Sequence, residues 1–223
     1  MPQFSSLLEK LANGRRLSGS EILQLRDDAK VLEDVMNLVP GWVRPGTSIP
    51  IFGQSLIPLY DNKPLPIDTA SISINVPPIV NTVLLFGSGS ITSANGGNIW
   101  AQFNDDTASN YEWQFIKGDG ATVSSTHDTS DPYVALGVFG TTGAGAGVNG
   151  SFESKIVHCQ GSWKKNILSH TYTAEFNDLY LLGGTWQSTD PIRKIEIFGT
   201  DNTLAKGTTN LAAGSLFTAW GLL

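Results

Sequence analysis

Histidine and cysteine are among the residue types that most often bind metals or take part in catalysis, and this sequence has few of either. Its histidines are His127, His158 and His170, and its one cysteine is Cys159. No two histidines have the spacing of a helical zinc motif, and a single cysteine excludes an intrachain disulfide. His158 and His170 are expected to form a cross-strand pair. Cys159 lies in an alternating apolar run and is expected to be a buried, unreactive thiol.

Carboxylates occur in segments that are rich in turn residues. Five aspartates fall in such segments: Asp105, Asp106, Asp119, Asp128 and Asp131. Oxygen-rich loops can bind Ca²⁺, and two carboxylates about 5 to 10 Å apart can hydrolyse glycosides. The DxDxDG spacing is absent, which favours side chains that hydrogen-bond their own backbone in turns. His127, in a polar loop between Ser125 and Asp128, lacks the G-x-S-x-G context of a nucleophile.

A glycine cluster and six tryptophans are the remaining candidates for ligand binding. Gly145 to Gly150 fits G-x-G-x-x-G, but the segment that follows alternates like a strand, whereas a dinucleotide site requires a helix there. Trp113 and Trp220 occupy alternating strand positions and are expected in the core. Trp163 lies in a probable turn and is the best candidate for a contact residue. We therefore expect a non-enzymatic protein without a cofactor.

The composition limits the classes of partner. Charged residues make up 15% of the chain, the net charge is −6 and the pI is about 4.9. A nucleic-acid-binding protein carries a basic face, so we expect no nucleic acid. No stretch approaches the ~20 apolar residues of a membrane span, and the start lacks the features of a signal peptide. Synthesis in a cytoplasm, without membrane insertion, is expected.

The N-terminal part has two zones. Residues 1–39 are predicted to be a helical anchor, because six apolar residues are spaced alternately three and four apart as in a coiled coil. These seam residues are Ile22, Leu25, Ala29, Leu32, Met36 and Val39. The seam packs either on its own domain or on other copies and partners, and both alternatives stay open.

Residues 40–68 are predicted to be a proline-rich extended arm. Eight of the eleven prolines lie between residues 40 and 78, where they exclude long helices and central strands. The arm is too apolar for a flexible linker, and we expect it to lie in a groove of its own domain or of a neighbour. Its docking residues are predicted to be Trp42, Ile51, Phe52, Leu56 and Tyr60.

Residues 69–223 are predicted to be a jelly-roll-like antiparallel β-sandwich of nine or ten strands, so the fold class is mainly β. Short runs with a period of two recur between turn residues, and no helical periodicity interrupts them. Parallel α/β folds are therefore excluded.

Three stretches of this domain resemble known proteins. Residues 103–113 match the pattern F-N-x-D-x-x-x-N-Y. Residues 213–221 are similar to a G-S-x-F-x-L-Y-G closing strand, with Trp220 in place of Tyr. The strand 192–197 comes before this closing strand, which is the usual order. Together they resemble β-sandwich structural proteins of tailed-bacteriophage virions over roughly residues 81–223. Such modules look alike in capsid decoration proteins, head fibres and tail fibres.

The resemblance implies a homotrimer that is attached to the virion. The leading interpretation is a capsid decoration or head-fibre protein, anchored by the N-terminal arm on the major capsid protein. The alternative is a tail-fibre or baseplate protein that recognises a host surface glycan. Its contact residues would be Asn104, Asp105, Asp106, Asn110 and Trp163.

Overall fold

The computed structural model describes residues 50–51, 54–61, 63–93, 97–141, 150–173, 178–201, 206 and 208–223. The chain divides into two units, Met1–Ile49 and Pro50–Leu223, and the description that follows is of the second. The heptad seam from Ile22 to Val39, together with Trp42 and Phe52, lies outside the described residues. The predicted helical anchor therefore stays a prediction.

The regular secondary structure of the described residues consists of β-strands. In chain order they are β1 Pro50–Ile51, β2 Gln54–Tyr60, β3 Ser71–Asn75, β4 Thr82–Ile91, β5 Gly97–Phe103, β6 Tyr111–Gly118, β7 Val123–Asp131, β8 Val134–Thr141, β9 Gly150–Val157, β10 Lys165–Thr173, β11 Asp178–Trp186, β12 Lys194–Thr200 and β13 Leu216–Leu222.

These strands form two antiparallel sheets. The large sheet has the order β2-β13-β4-β9-β10-β11-β6-β7, with β1 paired to β2, and the small sheet has the order β3-β12-β5-β8. Two parallel residue pairs between the ends of β4 and β8 join them, one of which is Ser90 with Gly140. Strand β8 packs against β9, β10 and β11. This arrangement confirms the predicted jelly-roll-like β-sandwich, with eleven described strands, β3 to β13, where nine or ten are predicted.

The core lies between the sheets and follows from the alternation of apolar residues along the strands. In β9 and β10 every second side chain is buried, and the strand β8 of the small sheet is buried throughout. Phe139, Phe152 and Phe217 meet there with ring centroids 5.9 to 6.3 Å apart. Burying each phenyl ring contributes roughly 1.5 to 3 kcal/mol.

Glycines let β4 continue beyond the apolar run in which the sequence places it. The run ends at Phe86, yet the strand extends to Ile91. A Cβ atom on Gly87 would collide with the ring of Phe152, and one on Gly89 would collide with Ser215. Glycine at these two positions therefore allows Phe152 and Ser215 to pack closely on β4, and the strand continues through both glycines.

Two segments differ from the sequence-based prediction. Strand β2 belongs to the segment that is predicted to be an arm, and it pairs with β13 despite Pro58. Residues 124–128, predicted to be a polar loop, lie in β7 together with Asp131, so the assignment of His127, Asp128 and Asp131 to loops is wrong. Nearly all of β7 is exposed on both faces, so it has no apolar alternation for sequence reasoning to detect.

Candidate functional site

Asn104, one of the predicted contact residues, fastens β5 to β12. Its backbone has a φ of 53°, in the left-handed region where asparagine is tolerated. Its side-chain amide donates to Pro191 O at 2.8 Å, and its Oδ1 accepts from the N–H groups of Arg193 at 2.8 Å and Lys194 at 3.1 Å. All of these contacts are internal, so the side chain acts as a corner of the scaffold.

Asp106 is the centre of the same corner. Its Oδ1 accepts from Ala108 N–H at 3.0 Å, and its Oδ2 accepts from Asn110 Nδ2 at 2.8 Å and from Trp186 Nε1 at 2.7 Å. Burial opposes ionisation of the carboxyl, but these hydrogen bonds outweigh it and lower its pKa. The turn is held by aspartate side-chain hydrogen bonding, as the sequence predicts for the aspartates.

Tyr111 ties the two sheets together beside Asp106. Its hydroxyl accepts a hydrogen bond from Phe103 N–H at 2.9 Å, and its ring stacks on Trp186. Burial raises the pKa of the phenol well above its ordinary value. Of the four predicted contact residues in this loop, Asp105 alone is exposed, and it pairs with Lys194 at 2.6 Å. The loop's polar groups are largely committed to holding the fold.

The histidines do not form the predicted cross-strand pair. The direct neighbour of His170 on β9 is Glu153, and the two side chains approach to 3.4 Å. His158 lies after the end of β9 with a φ of 65°. The register of β9 and β10 thus places the two imidazoles apart. No group of three or more His, Cys, Asp or Glu residues in the described part of the chain could hold a metal ion.

Cys159 is fully buried, as the sequence predicts. Burial raises the pKa of its thiol to about 12. A thiol of that pKa is protonated at neutral pH and is a poor nucleophile or metal ligand.

Trp163 lies in the turn between β9 and β10, as predicted, and is 71% exposed. The turn is held by Lys165, which is fully buried. Its ammonium donates to Gly161 O at 2.8 Å, Trp163 O at 2.5 Å and Thr189 O at 3.2 Å. Burial lowers the pKa of Lys165, an effect that the negative charge of Asp190 opposes. The exposed indole of Trp163 therefore belongs to a turn whose backbone is fixed by charge-assisted hydrogen bonds from Lys165.

The outer face of the large sheet carries an apolar patch that the sequence analysis missed. We call it the outer patch, and its members are each about half exposed: Ile116, Leu168, Tyr172, Leu179 and Leu181. Tyr172 is directly opposite Leu179, and Leu181 is directly opposite Ile116. The signal was the run Leu179-Tyr180-Leu181-Leu182, which is apolar at consecutive positions and so predicts a strand covered on both faces.

A shallow groove of about 440 Å³ adjoins the outer patch. Phe86, Glu153, His170 and Tyr172 are among its lining residues. The expectation that Trp220 lies in the core is wrong: it points to this outer face as well, because the buried residues of β13 are Phe217, Ala219 and Gly221. Tyr60 of the predicted arm lies beside Trp220 in a neighbouring groove, whereas Leu56 is buried.

Of the other docking residues predicted for the arm, Ile51 belongs to β1. Trp113, the second tryptophan expected in the core, is half-buried and packs edge-on against the buried Trp100. No helix of the described residues is long and apolar enough to span a membrane.

Comparison with known proteins gives little further guidance. No family model and no curated protein matches the chain. A solved structure with some likeness is peanut lectin with a 9mer peptide, which is 7% identical. The match covers 79% of this chain and 90% of that chain with a TM-score of 0.32. A likeness of this size carries no argument about function.

Proposed function

We propose that this chain is a non-enzymatic structural protein of a tailed-phage virion. It is made in the host cytoplasm, associates with itself as a homotrimer, and is attached to the capsid as a decoration or head-fibre protein through its N-terminal segment. The resemblance to phage β-sandwich proteins supports this assignment. Asn104, Asp106 and Tyr111, three of the residues that carry the resemblance, are the ones that fasten the corner of the sandwich.

The observation that carries the proposal is the outer patch. An antiparallel sheet that faces water on one side carries polar residues on that face. Here the exposed face presents leucines and an isoleucine on three neighbouring strands, β10, β11 and β6. Contiguous exposed apolar surface of this kind marks a protein interface. A protein that is built into a particle has such a surface, whereas an isolated monomer rarely does.

Copies of this chain are the partner that the patch fits best. Beside the patch, Glu153 and Lys155 are exposed side by side on one face of β9. A face that carries both charges at neighbouring positions can pair with a second copy of itself without uncompensated charge.

A second candidate function is that of a tail-fibre or baseplate protein that recognises a host surface glycan. The observation that favours it is the exposed indole of Trp163 in a fixed turn. Weak binding by one such turn would be amplified by three copies on one fibre.

The experiment that tests the proposal compares two targets for the purified full-length protein. One is capsids stripped of accessory proteins, and the other is intact host cells. The matched variant lacks residues 1–49, because a longer deletion would remove β2 from the large sheet. We expect saturable capsid binding that is lost in the variant. Binding to cells alone would contradict the capsid assignment and favour the tail, and binding to neither would contradict the virion role.

A further inference from the structure

The turn that carries Trp163 has the properties of a small, preorganised binding site. Its backbone is fixed at both ends of the tip, because Lys165 binds the carbonyls of Gly161 and Trp163 at 2.8 and 2.5 Å. The indole lies against Gly161, where an added Cβ atom would sit 3.1 Å from Trp163 Cδ1. A turn whose backbone is already fixed loses little entropy when it binds a ligand.

The base of the turn is anchored as well. The amide of Gln160 donates to Pro77 O at 3.2 Å and to Ile192 O at 3.3 Å, which ties the turn to two other segments. The guanidinium of Arg193 donates to Gln160 Oε1. Arg193 is therefore held next to the turn, with the rest of its donors exposed.

Two exposed cations accompany Trp163. Lys164 and Arg193 form no ion pair with the residues that the structure describes. Four lysines elsewhere in the described chain are paired with carboxylates: Lys63, Lys117, Lys194 and Lys206. The exposed carboxylate nearby, that of Asp190, interacts with the buried ammonium of Lys165. Lys164 follows Trp163 directly in the chain and Arg193 is bonded to Gln160 of the same turn, so two exposed cations belong to this turn of a chain whose net charge is −6.

We propose that this turn binds an acidic saccharide, with a pyranose ring on the indole of Trp163 and an anionic group on Lys164 and Arg193. The C–H face of a pyranose is apolar and packs on an aromatic face, while its anionic substituent pairs with the ammonium and the guanidinium. Carboxylate and phosphate are both suitable anions. The proposal rests on the second candidate function and names the class of glycan that the same indole would bind, whereas the capsid assignment does not depend on it.

A saccharide fits this turn better than a protein does. A stable protein interface needs about 1,000 Å² and a central apolar cluster. Trp163 is the one large apolar side chain exposed between β9 and β10. A single ring flanked by charged and polar groups is sufficient for one or two sugar residues, and several copies would raise the avidity.

The test measures retention of the full-length protein on three immobilised polymers: polygalacturonate, which carries carboxylates, a phosphomannan, which carries phosphates, and neutral dextran. We expect retention on at least one acidic polymer, weakening as salt is added, and none on dextran. Retention on one acidic polymer alone identifies the anion. Trp163→Ala should lower the affinity at least about tenfold, and the double variant Lys164→Gln with Arg193→Gln should abolish the salt dependence.

Matched controls separate the site from general effects of exposed residues. Ile67→Ala removes an apolar side chain that is 69% exposed elsewhere, and Lys63→Gln removes an exposed cation that is paired with Asp61. Both should bind as the wild type does. No retention on either acidic polymer, equal retention on dextran, or unchanged binding by Trp163→Ala would overturn the proposal. Retention on immobilised casein alone, lost in Trp163→Ala, would also overturn it and assign the turn to a protein partner.

Discussion

Replacing Leu181 with lysine tests whether the outer patch is an interface between copies. Leu181 is 50% exposed and lies directly opposite Ile116 on β6 and His170 on β10, near the middle of the patch. Covering the exposed half of each of the five patch side chains would contribute about 1 kcal/mol per residue, or about 5 kcal/mol per copy. Association costs about 4 to 15 kcal/mol in lost translational and rotational freedom, so covering the patch would offset a large part of that cost.

Leu181→Lys should therefore weaken association strongly and leave the fold intact. The variant loses about 1 kcal/mol of apolar burial and places an ammonium in the interface, which costs several kcal/mol more. We expect the dissociation constant to rise at least about a hundredfold. Because the side chain points away from the core, the free energy of unfolding should change by less than about 1 kcal/mol.

The assay is light scattering of the full-length protein after gel filtration, across a wide range of protein concentration. Ile67→Lys is the control, since Ile67 is 69% exposed but lies outside the patch. The wild type and Ile67→Lys should have the mass of an oligomer at concentrations where Leu181→Lys is a monomer. If Leu181→Lys has the same mass and the same concentration dependence as the wild type, the patch is not an interface between copies.

Three further predictions concern the scaffold. Asp106→Asn should destabilise the fold by about 1 to 3 kcal/mol in urea denaturation, because an amide group would face N–H donors, whereas Asp105→Asn should cost less than about 1 kcal/mol. Because the pKa of Asp106 is lower in the folded than in the unfolded protein, the stability that its carboxylate contributes is present above the unfolded-state pKa and is lost as the pH falls through the folded-state pKa. The stability of Asp106→Asn should therefore fall less steeply in acid than that of the wild type. Lys165→Met should cost about 2 kcal/mol, since three carbonyl oxygens lose their donor, while Lys164→Met should change stability by less than about 0.5 kcal/mol. Cys159, with a pKa of about 12, should not react with Ellman's reagent in the native protein and should react fully in urea; rapid native reaction would contradict its burial.

The sequence predicts the sandwich well because most strands are covered on one face only. Along β9 the buried Phe152 and Ile156 alternate with exposed residues such as Glu153, and this pattern is visible in the residue types. Strand β13 agrees with the predicted run from Leu216 to Leu222. Such strands can be predicted from their own residues, because a period of two in hydrophobicity is a property of neighbouring residues.

The features that the sequence did not reveal have two physical causes, namely a strand without a buried face and side chains whose partners are distant in sequence. Strand β7 pairs with β6 at the edge of the large sheet and is exposed on both faces, so its serines and threonines look like a loop. The roles of Asp106 and Lys165 depend on partners that are far away in sequence, Trp186 for the first and Thr189 for the second.

The two proposed surfaces have no side chain in common. The outer patch uses Leu168 and Tyr172 on the face of the sheet, whereas Trp163 lies in the turn before Lys165, where the strand begins. Association through the face would leave that turn uncovered in every copy. Several fixed indoles would then be presented by one assembly, and weak individual sites would act together. Self-association is therefore the condition under which a single exposed tryptophan per chain becomes an effective binding surface.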